Sequence, residues 1–208
     1  MTFLQRYTQS KLLFDKIEKI IILESILFTK KNMNNPTLIN NLRSVPDFPI
    51  KGINFRDVTT LYKNPECLKI IEEEIYELYK DKWITKVVGI ESRWFVIGAI
   101  LARKLNAWFV LCRKLWKLPA ETIQESYEKE YWKDTIEIHK DAINENDIVL
   151  LHDDLLATWG TMKATYDLVK KFNPKNIYIN FIIEITDEGL HWRDIFPKDT
   201  EITTLMKL

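Results

Sequence analysis

Short apolar runs alternate with stretches that repeat apolar residues at helical spacing along most of this chain. A short, continuous apolar run is typical of a buried strand, and apolar residues three to four positions apart are typical of an amphipathic helix. Strands that alternate with helices predict an α/β fold, with a central parallel sheet flanked by helices and ligands beyond the carboxyl ends of the strands. The predicted strands are 86–90, 109–112, 147–151, 177–183 and 201–205, and the predicted helices are 65–80, 95–105 and 161–172.

Two segments depart from this alternation. Residues 115–141 are polar, rich in aromatic side chains and long for a connection, so they predict a flexible hood over a site. Residues 1–32 carry apolar residues at helical spacing, followed by a polar break. Two explanations stay open for them: an additional amphipathic helix, or a start assigned upstream of the true first residue, Met33. The expected organisation is an N-terminal extension, 1–32, and one folded domain, 33–208.

The charge and the cysteines narrow the class of protein. The 208 residues include 30 basic and 30 acidic side chains, so the net charge gives no support for binding nucleic acid or an anionic membrane surface. No stretch reaches the roughly 20 apolar residues that span a bilayer. The two cysteines, Cys67 and Cys112, lie far apart in apolar surroundings, which is typical of reduced core thiols in a cytoplasmic protein.

The most informative segment runs from Ile148 to Thr161. Its apolar run ends at two adjacent carboxylates, Asp153 and Asp154, and a turn of small residues then leads into a predicted helix. A helix N-terminus offers backbone N–H groups and a positive dipole end to a phosphate, and carboxylates accept hydrogen bonds from sugar hydroxyls. The segment therefore predicts a pocket for a phosphorylated pentose, in which the indole of Trp159 would compete for the volume of the phosphate.

Several further segments occur in the order typical of one family. They are Pro-Asp-Phe-Pro at 46–49, Phe-Arg-Asp at 55–57, Glu-Ser-Arg at 91–93, Lys-Leu-Pro at 117–119, Glu-Tyr at 130–131 and the segment 153–161. With them, residues 38–208 resemble the adenine phosphoribosyltransferases, a branch of the type I phosphoribosyltransferase family. The resemblance implies the type I phosphoribosyltransferase fold with its flexible hood, in a homodimer. It also implies a magnesium-dependent reaction of purine salvage, in which 5-phosphoribosyl 1-diphosphate and adenine yield AMP and diphosphate.

The resemblance assigns catalytic roles to three carboxyl groups. Glu130 matches the general acid–base residue that the family places near adenine N7. Asp153 and Asp154 match the pair that holds the ribose hydroxyls and stabilises positive charge on the ring as the glycosidic bond breaks. Mg²⁺ would be bound mainly through the diphosphate and ribose of the substrate, so no protein metal ligand is expected.

The resemblance also divides the substrate-binding residues among the parts of the substrates. The loop that would cradle the 5′-phosphate consists of Ala157, Thr158, Trp159, Gly160 and Thr161. The cations expected beside the diphosphate are Arg93, Arg113 and Lys117, and Arg113 or Lys117 could come from a neighbouring subunit. The adenine would lie between Phe55 and Ile185, near the backbone of Arg56, under a hood that contains Tyr131.

All seven tryptophans match glycine positions in the family pattern. They are Trp83, Trp94, Trp108, Trp116, Trp132, Trp159 and Trp192. The five glycines make up about 2% of the 208 residues, against an average of about 7% in proteins. One hypothesis is that the gene contains UGA codons that its cell reads as glycine. The alternative is a diverged, inactive or regulatory homologue in which the tryptophans are genuine.

Two rival functions stay open beside the adenine reaction. One is a phosphoribosyltransferase for another purine. The other is a non-catalytic sensor of phosphoribosyl diphosphate or nucleotides. The near-zero net charge and the presence of Glu130 and Lys117 favour catalysis, because a protein that only binds need not manage a proton or a leaving group.

Overall fold

The structure of this protein is a computed structural model, which describes residues 34–93, 95–128, 133–156, 159–186 and 192–208. Residues Asn34–Leu208 form one compact unit, and the extension predicted for 1–32 lies outside the described residues. The helices are α1 Pro36–Asn41, α2 Thr59–Tyr62, α3 Pro65–Tyr79, α4 Phe95–Lys104, α5 Trp159–Lys170 and a 3₁₀ helix, Trp192–Ile195. The strands are β1 Arg43–Pro46, β2 Asn54–Asp57, β3 Lys86–Ile90, β4 Trp108–Lys114, β5 Thr122–Glu128, β6 Lys133–His139, β7 Ile148–Leu156, β8 Asn176–Glu184 and β9 Ile202–Lys207.

The central sheet has seven strands in the order β5-β6-β4-β3-β7-β8-β9. Its pairs from β4 to β9 are parallel, which confirms the predicted parallel sheet. At one edge, β6 pairs antiparallel with both β4 and β5. This hairpin lies inside the segment 115–141, which was predicted as a long connection. A second sheet consists of β1 and β2 alone.

Helices cover both faces of the sheet, as the continuous apolar strands predict. Val149 and Leu151 of β7 belong to a core cluster that includes the apolar residues of α5. Leu150, between them, belongs to a second cluster with residues of α1, α3 and α4. The two free cysteines are buried, Cys112 in the first cluster and Cys67 in the second, in agreement with the prediction of core thiols.

The predicted helices are present with small shifts at their ends. Helix α3 begins at Pro65, where the Asn64 side chain accepts hydrogen bonds from the N–H groups of Glu66 and Cys67, at 3.0 and 3.4 Å. A side-chain cap followed by proline is a typical helix start. None of the helices in the described part of the chain is long and apolar enough to cross a membrane.

Strand β7 extends further than predicted. The apolar run indicated an end at Leu151, but β7 continues through Asp153 and Asp154 to Leu156, because β8 pairs with it over that length. Its last partner on β3 is Gly89, opposite His152. The two aspartates therefore lie within a strand, next to the residues that follow β3.

Candidate active site

Asp153 and Asp154, the acidic pair, lie almost fully buried at the carboxyl end of the parallel sheet. Asp153 is 6% exposed and Asp154 is 2% exposed. The Asp154 N–H group donates a hydrogen bond of 2.7 Å to Oδ1 of Asp153, whereas Oδ1 of Asp154 has no hydrogen-bond partner among the described residues. Burial raises the pKa of both carboxyl groups, and the charge of Asp153 raises the pKa of Asp154 further. Such a pair has acceptor capacity for hydroxyl groups and attracts positive charge.

Arg93 and Tyr62 lie close enough to the acidic pair to act on it electrostatically. The Arg93 guanidinium lowers the pKa of both aspartates and so offsets part of the effect of burial. Burial, followed by the charges of Asp154 and Asp153, raises the pKa of Tyr62. The Tyr62 hydroxyl is buried without a hydrogen-bond partner in the described ranges. The site thus contains two buried polar atoms, one on Tyr62 and one on Asp154, that could bind a ligand.

Arg93 also lies near Phe55, one of the residues predicted to contact adenine. Its guanidinium carbon lies 6.0 Å from the centre of the Phe55 ring. Phe55 is half-buried on β2 and packs edge-to-face on Phe48, with 5.3 Å between the ring centres. Arg56, the next residue, donates a hydrogen bond to the Ser44 hydroxyl of β1.

A second cationic group lies where β3 and β4 end. Glu91 accepts two hydrogen bonds from the Arg113 guanidinium, at 3.1 and 3.0 Å, and one of 2.9 Å from the Lys114 N–H group. The hydrogen bond from Arg113 lowers the pKa of Glu91, and the charge of Lys117 lowers it further. Glu91 is therefore ionised and fixes the orientation of Arg113. The sequence analysis did not predict this role. The position of Glu91, directly after a strand and two residues before Arg93, could have indicated it.

Glu137 holds the turn that carries Lys117. This carboxylate is 3% exposed on β6. It accepts hydrogen bonds from the N–H groups of Lys117 and Leu118, at 3.0 and 3.2 Å, and from the Thr122 hydroxyl at 3.1 Å. Sequence reasoning missed it as well, since a glutamate between two isoleucines in a half-buried strand normally faces solvent.

The predicted phosphate turn, residues 157–161, overlaps the first turn of α5, which begins at Trp159, two residues before the predicted start at 161. The Thr161 hydroxyl donates a hydrogen bond of 3.2 Å to the hydroxyl of Tyr127 on β5. This contact joins the N-terminal end of α5 to the edge hairpin. Ala157 and Thr158 lie outside the described residues, Gly160 is half-buried in the first turn of α5, and the side chain of Trp159 is not described.

The remaining predicted residues are less closely defined. Ile185 is half-buried and directly follows β8. Glu130, Tyr131, Trp94 and Trp132 lie outside the described residues, so their predicted roles stay predictions.

Histidines do not form a metal centre in the described part of the chain. His152, on β7 before the acidic pair, makes a hydrogen bond of 2.9 Å from Nδ1 to the Asn180 side chain. Burial lowers the pKa of His152 to about 4, so the ring is neutral at physiological pH. No group of three histidine, cysteine, aspartate or glutamate side chains able to hold a metal ion occurs among the described residues.

The comparisons with known proteins agree with this geometry. The family model of the phosphoribosyl transferase domain matches residues 57–198, so fold and site define a phosphoribosyltransferase. A protein of Phocaeicola vulgatus named adenine phosphoribosyltransferase is 61% identical over 176 residues, which cover 85% of this chain and 100% of that protein. The crystal structure of adenine phosphoribosyltransferase from Rhodothermus marinus shares 46% identity at a TM-score of 0.76 and covers 83% of this chain and 97% of that chain. That of the Giardia lamblia enzyme complexed with 9-deazaadenine shares 39% identity at a TM-score of 0.77, with the same coverage, 83% and 97%. The chain belongs to the adenine phosphoribosyltransferase family.

Proposed function

We propose that this protein transfers the phosphoribosyl group of 5-phosphoribosyl 1-diphosphate to adenine, giving AMP and diphosphate in purine salvage. The observation that carries the proposal is the buried acidic pair beside Arg93 at the carboxyl end of the sheet. The chain that contains it is 61% identical over 176 residues to a relative named adenine phosphoribosyltransferase. Diphosphate leaves C1 of the ribose as the bond from adenine N9 to that carbon forms.

The acidic pair acts on the sugar. Asp153 and Asp154 accept hydrogen bonds from the ribose hydroxyls, and their negative charge favours the positive charge that develops on the ring when the bond to diphosphate breaks. Fixed carboxylates in a water-poor site are effective at this task, because they need no reorientation during the reaction. The unpartnered Oδ1 of Asp154 supports this role.

The cations act on the leaving group. Arg93, Arg113 and Lys117 neutralise the diphosphate, and Glu91 keeps Arg113 in a fixed orientation through its two hydrogen bonds. Mg²⁺ would be held chiefly by oxygens of the diphosphate and ribose, because this ion usually keeps several waters and binds substrate phosphates with only one or two protein carboxylates, a role open to Asp153 and Asp154. When bound, Mg²⁺ supplies positive charge to the diphosphate.

The purine lies between Phe55 and Ile185, with the backbone at Arg56 beside its edge. Glu130 manages the proton at adenine N7, and Tyr131 in the hood excludes water. The Giardia lamblia relative complexed with 9-deazaadenine, at 39% identity, supports a purine-binding site in the family.

The phosphate turn binds the 5′-phosphate through backbone N–H groups of residues 157–161 at the start of α5, with the Thr158 and Thr161 hydroxyls. We further propose that the protein is a cytoplasmic homodimer. Exposed apolar side chains between β1 and β2, namely Phe48, Ile50 and Ile53, support an interface with a second subunit.

A panel of four purines tests this function. Adenine, hypoxanthine, guanine and xanthine are each incubated with 5-phosphoribosyl 1-diphosphate, Mg²⁺ and the protein, and the nucleotide formed is measured by chromatography. The assay is run on two forms of the protein. One carries the seven tryptophans, and the other, the glycine form, carries glycine at all seven positions. We expect AMP from adenine, with the other bases at least about 100-fold slower, and the control Asp154→Asn slower by about 100-fold. Faster reaction with another purine, or binding of the sugar diphosphate without product from either form, would overturn the proposal.

A further inference from the structure

Two tryptophans occupy a left-handed backbone conformation. Trp83 has φ = 57° and Trp116 has φ = 66°. Short polar side chains such as asparagine and aspartate tolerate this conformation, whereas a bulky side chain there is an outlier. The other non-glycine residues with positive φ in the described ranges are all of the short polar kind: Asn34, Asp47, Asn106 and Asn173. The backbone at Trp83 and Trp116 is therefore one that glycine normally occupies.

The tryptophan side chains that the structure describes are also exposed. Trp83, Trp108 and Trp116 are 82%, 75% and 87% exposed. Tryptophan normally contributes by burying its large ring in a core or an interface. Trp108 contacts Lys86, whose ammonium lies 5.1 Å from the centre of the indole ring. None of these three indoles performs the packing role typical of tryptophan.

The third position with a physical requirement is Trp159. It is the first residue of α5, in the phosphate turn. A turn that presents consecutive N–H groups to a phosphate depends on close approach of the ligand to the backbone, which glycine permits and a bulky side chain obstructs.

We propose that the protein made in its own cell carries glycine at all seven tryptophan positions, encoded by UGA codons that the cell translates as glycine. The left-handed backbone at Trp83 and Trp116 supports the proposal, and so does the exposure of the indoles of Trp83, Trp108 and Trp116. Twelve glycines in 208 residues would be about 6%, close to the average of about 7%. The argument at Trp159 rests on the proposed function, whereas the arguments from backbone conformation at Trp83 and Trp116 do not.

The test is the gene together with the mass of one peptide from the natural protein. Trypsin cleaves after Lys140 and Lys163, so the peptide 141–163 contains position 159 and no other tryptophan. We expect a UGA codon at 159 and a peptide lighter by the mass difference between tryptophan and glycine. A UGG codon at 159, or a UGA codon with a tryptophan-containing peptide, would overturn the proposal. Neither readout involves activity, so a wrong assignment of function would leave this result intact.

A different observation points to a positioning residue. Glu137 is buried and uses both carboxylate oxygens on one turn: Oε1 accepts from the N–H groups of Lys117 and Leu118, and Oε2 accepts from the Thr122 hydroxyl. Two N–H groups and one hydroxyl donate to this single buried carboxylate, so the conformation of the turn depends on it. The Lys117 side chain itself is exposed, and its charge reaches Glu91, the partner of Arg113.

We infer that Glu137 positions Lys117 for the diphosphate of the substrate. This inference rests on the proposed function for the role of Lys117. Glu137 acts through the backbone of the turn and does not touch the substrate. Its removal should therefore weaken binding of the sugar diphosphate only as long as Lys117 is present.

A double-mutant cycle in the glycine form tests the inference, with the dissociation constant of 5-phosphoribosyl 1-diphosphate measured by calorimetry. Lys117→Met is expected to weaken binding by about tenfold, Glu137→Leu by a similar factor, and the double variant no more than Lys117→Met alone. Glu137→Gln, which keeps an accepting oxygen, is expected to retain most of the affinity. Thr122→Val removes one of the three donors and provides a milder variant should Glu137→Leu fail to fold.

Additive losses in the double variant, or a lower melting temperature with unchanged affinity, would overturn the inference. Calorimetry measures binding without turnover, so failure of the purine assay and failure of this cycle are distinguishable.

Discussion

Replacing Trp83 and Trp116 with glycine is expected to stabilise the folded protein. A left-handed conformation costs an L-residue about 1–2 kcal/mol, and both residues have positive φ, 57° and 66°. Glycine costs about 0.5–1 kcal/mol at each site, because it makes the unfolded chain more flexible. Little apolar burial is lost, since both indoles are exposed. The net gain is centred on about 0.75 kcal/mol per site, within a range of about 0–1.5 kcal/mol. The central value raises the melting temperature of the double variant by about 3–6 °C for a protein of this size.

Thermal unfolding monitored by calorimetry or circular dichroism measures this shift, and Trp108→Gly is the matched control. Trp108 is also exposed, but it lies in β4 and is not among the residues with positive φ. Glycine in a strand costs about 0.5–1 kcal/mol, and loss of the contact with Lys86 costs about 0.5–1 kcal/mol more. We therefore expect the control to melt at a lower temperature. A double variant that is destabilised like the control would refute the reasoning from backbone conformation.

Three further predictions concern the site. Returning tryptophan to position 159 in the glycine form is expected to weaken binding of 5-phosphoribosyl 1-diphosphate by about 10–100-fold, as measured by calorimetry; equal affinities would contradict the assignment of the phosphate turn. Burial raises the pKa of Asp153 and Asp154 in the folded state, so these two groups bind more protons in the unliganded fold than in the unfolded chain, and their contribution to the melting temperature falls as the pH rises from about 4 towards neutrality. Asp154→Asn should flatten that slope, and an unchanged slope would count against the shift. Glu91→Gln removes the charge that orients Arg113, so steady-state kinetics should show a KM for the sugar diphosphate raised by about tenfold, and an unchanged KM would exclude that role.

The central part of the fold could be predicted from the sequence because it is buried on both faces. The runs that became β3, β4 and β7 are apolar over four or five consecutive residues, and the run that became β8 is interrupted only by Asn180, so no neighbouring element is needed to recognise them. Strands β5 and β6 form an antiparallel hairpin at the edge of the sheet, where polar residues alternate with apolar ones. Within a polar segment this alternation gave too weak a signal, so the hairpin was not predicted.

Part of the candidate site could also be predicted from the sequence, and part of it could not. Asp153, Asp154 and Arg93 could be proposed because they are charged residues that follow apolar strands. The positioning of Arg113 by Glu91 and of the Lys117 turn by Glu137 joins residues far apart along the chain. Such contacts depend on the pairing of β3 with β4 and of β4 with β6, which the sequence pattern does not specify. Burial of the Tyr62 hydroxyl beside Asp154 depends likewise on how α2 packs against the sheet.

The most direct measurement is a crystal structure of the glycine form with 5-phosphoribosyl 1-diphosphate and Mg²⁺ bound. The account predicts the 5′-phosphate on the backbone N–H groups that open α5, and the ribose hydroxyls within hydrogen-bond distance of Asp153 and Asp154. A sugar diphosphate bound in any other place, or a ribose turned away from both aspartates, would contradict it.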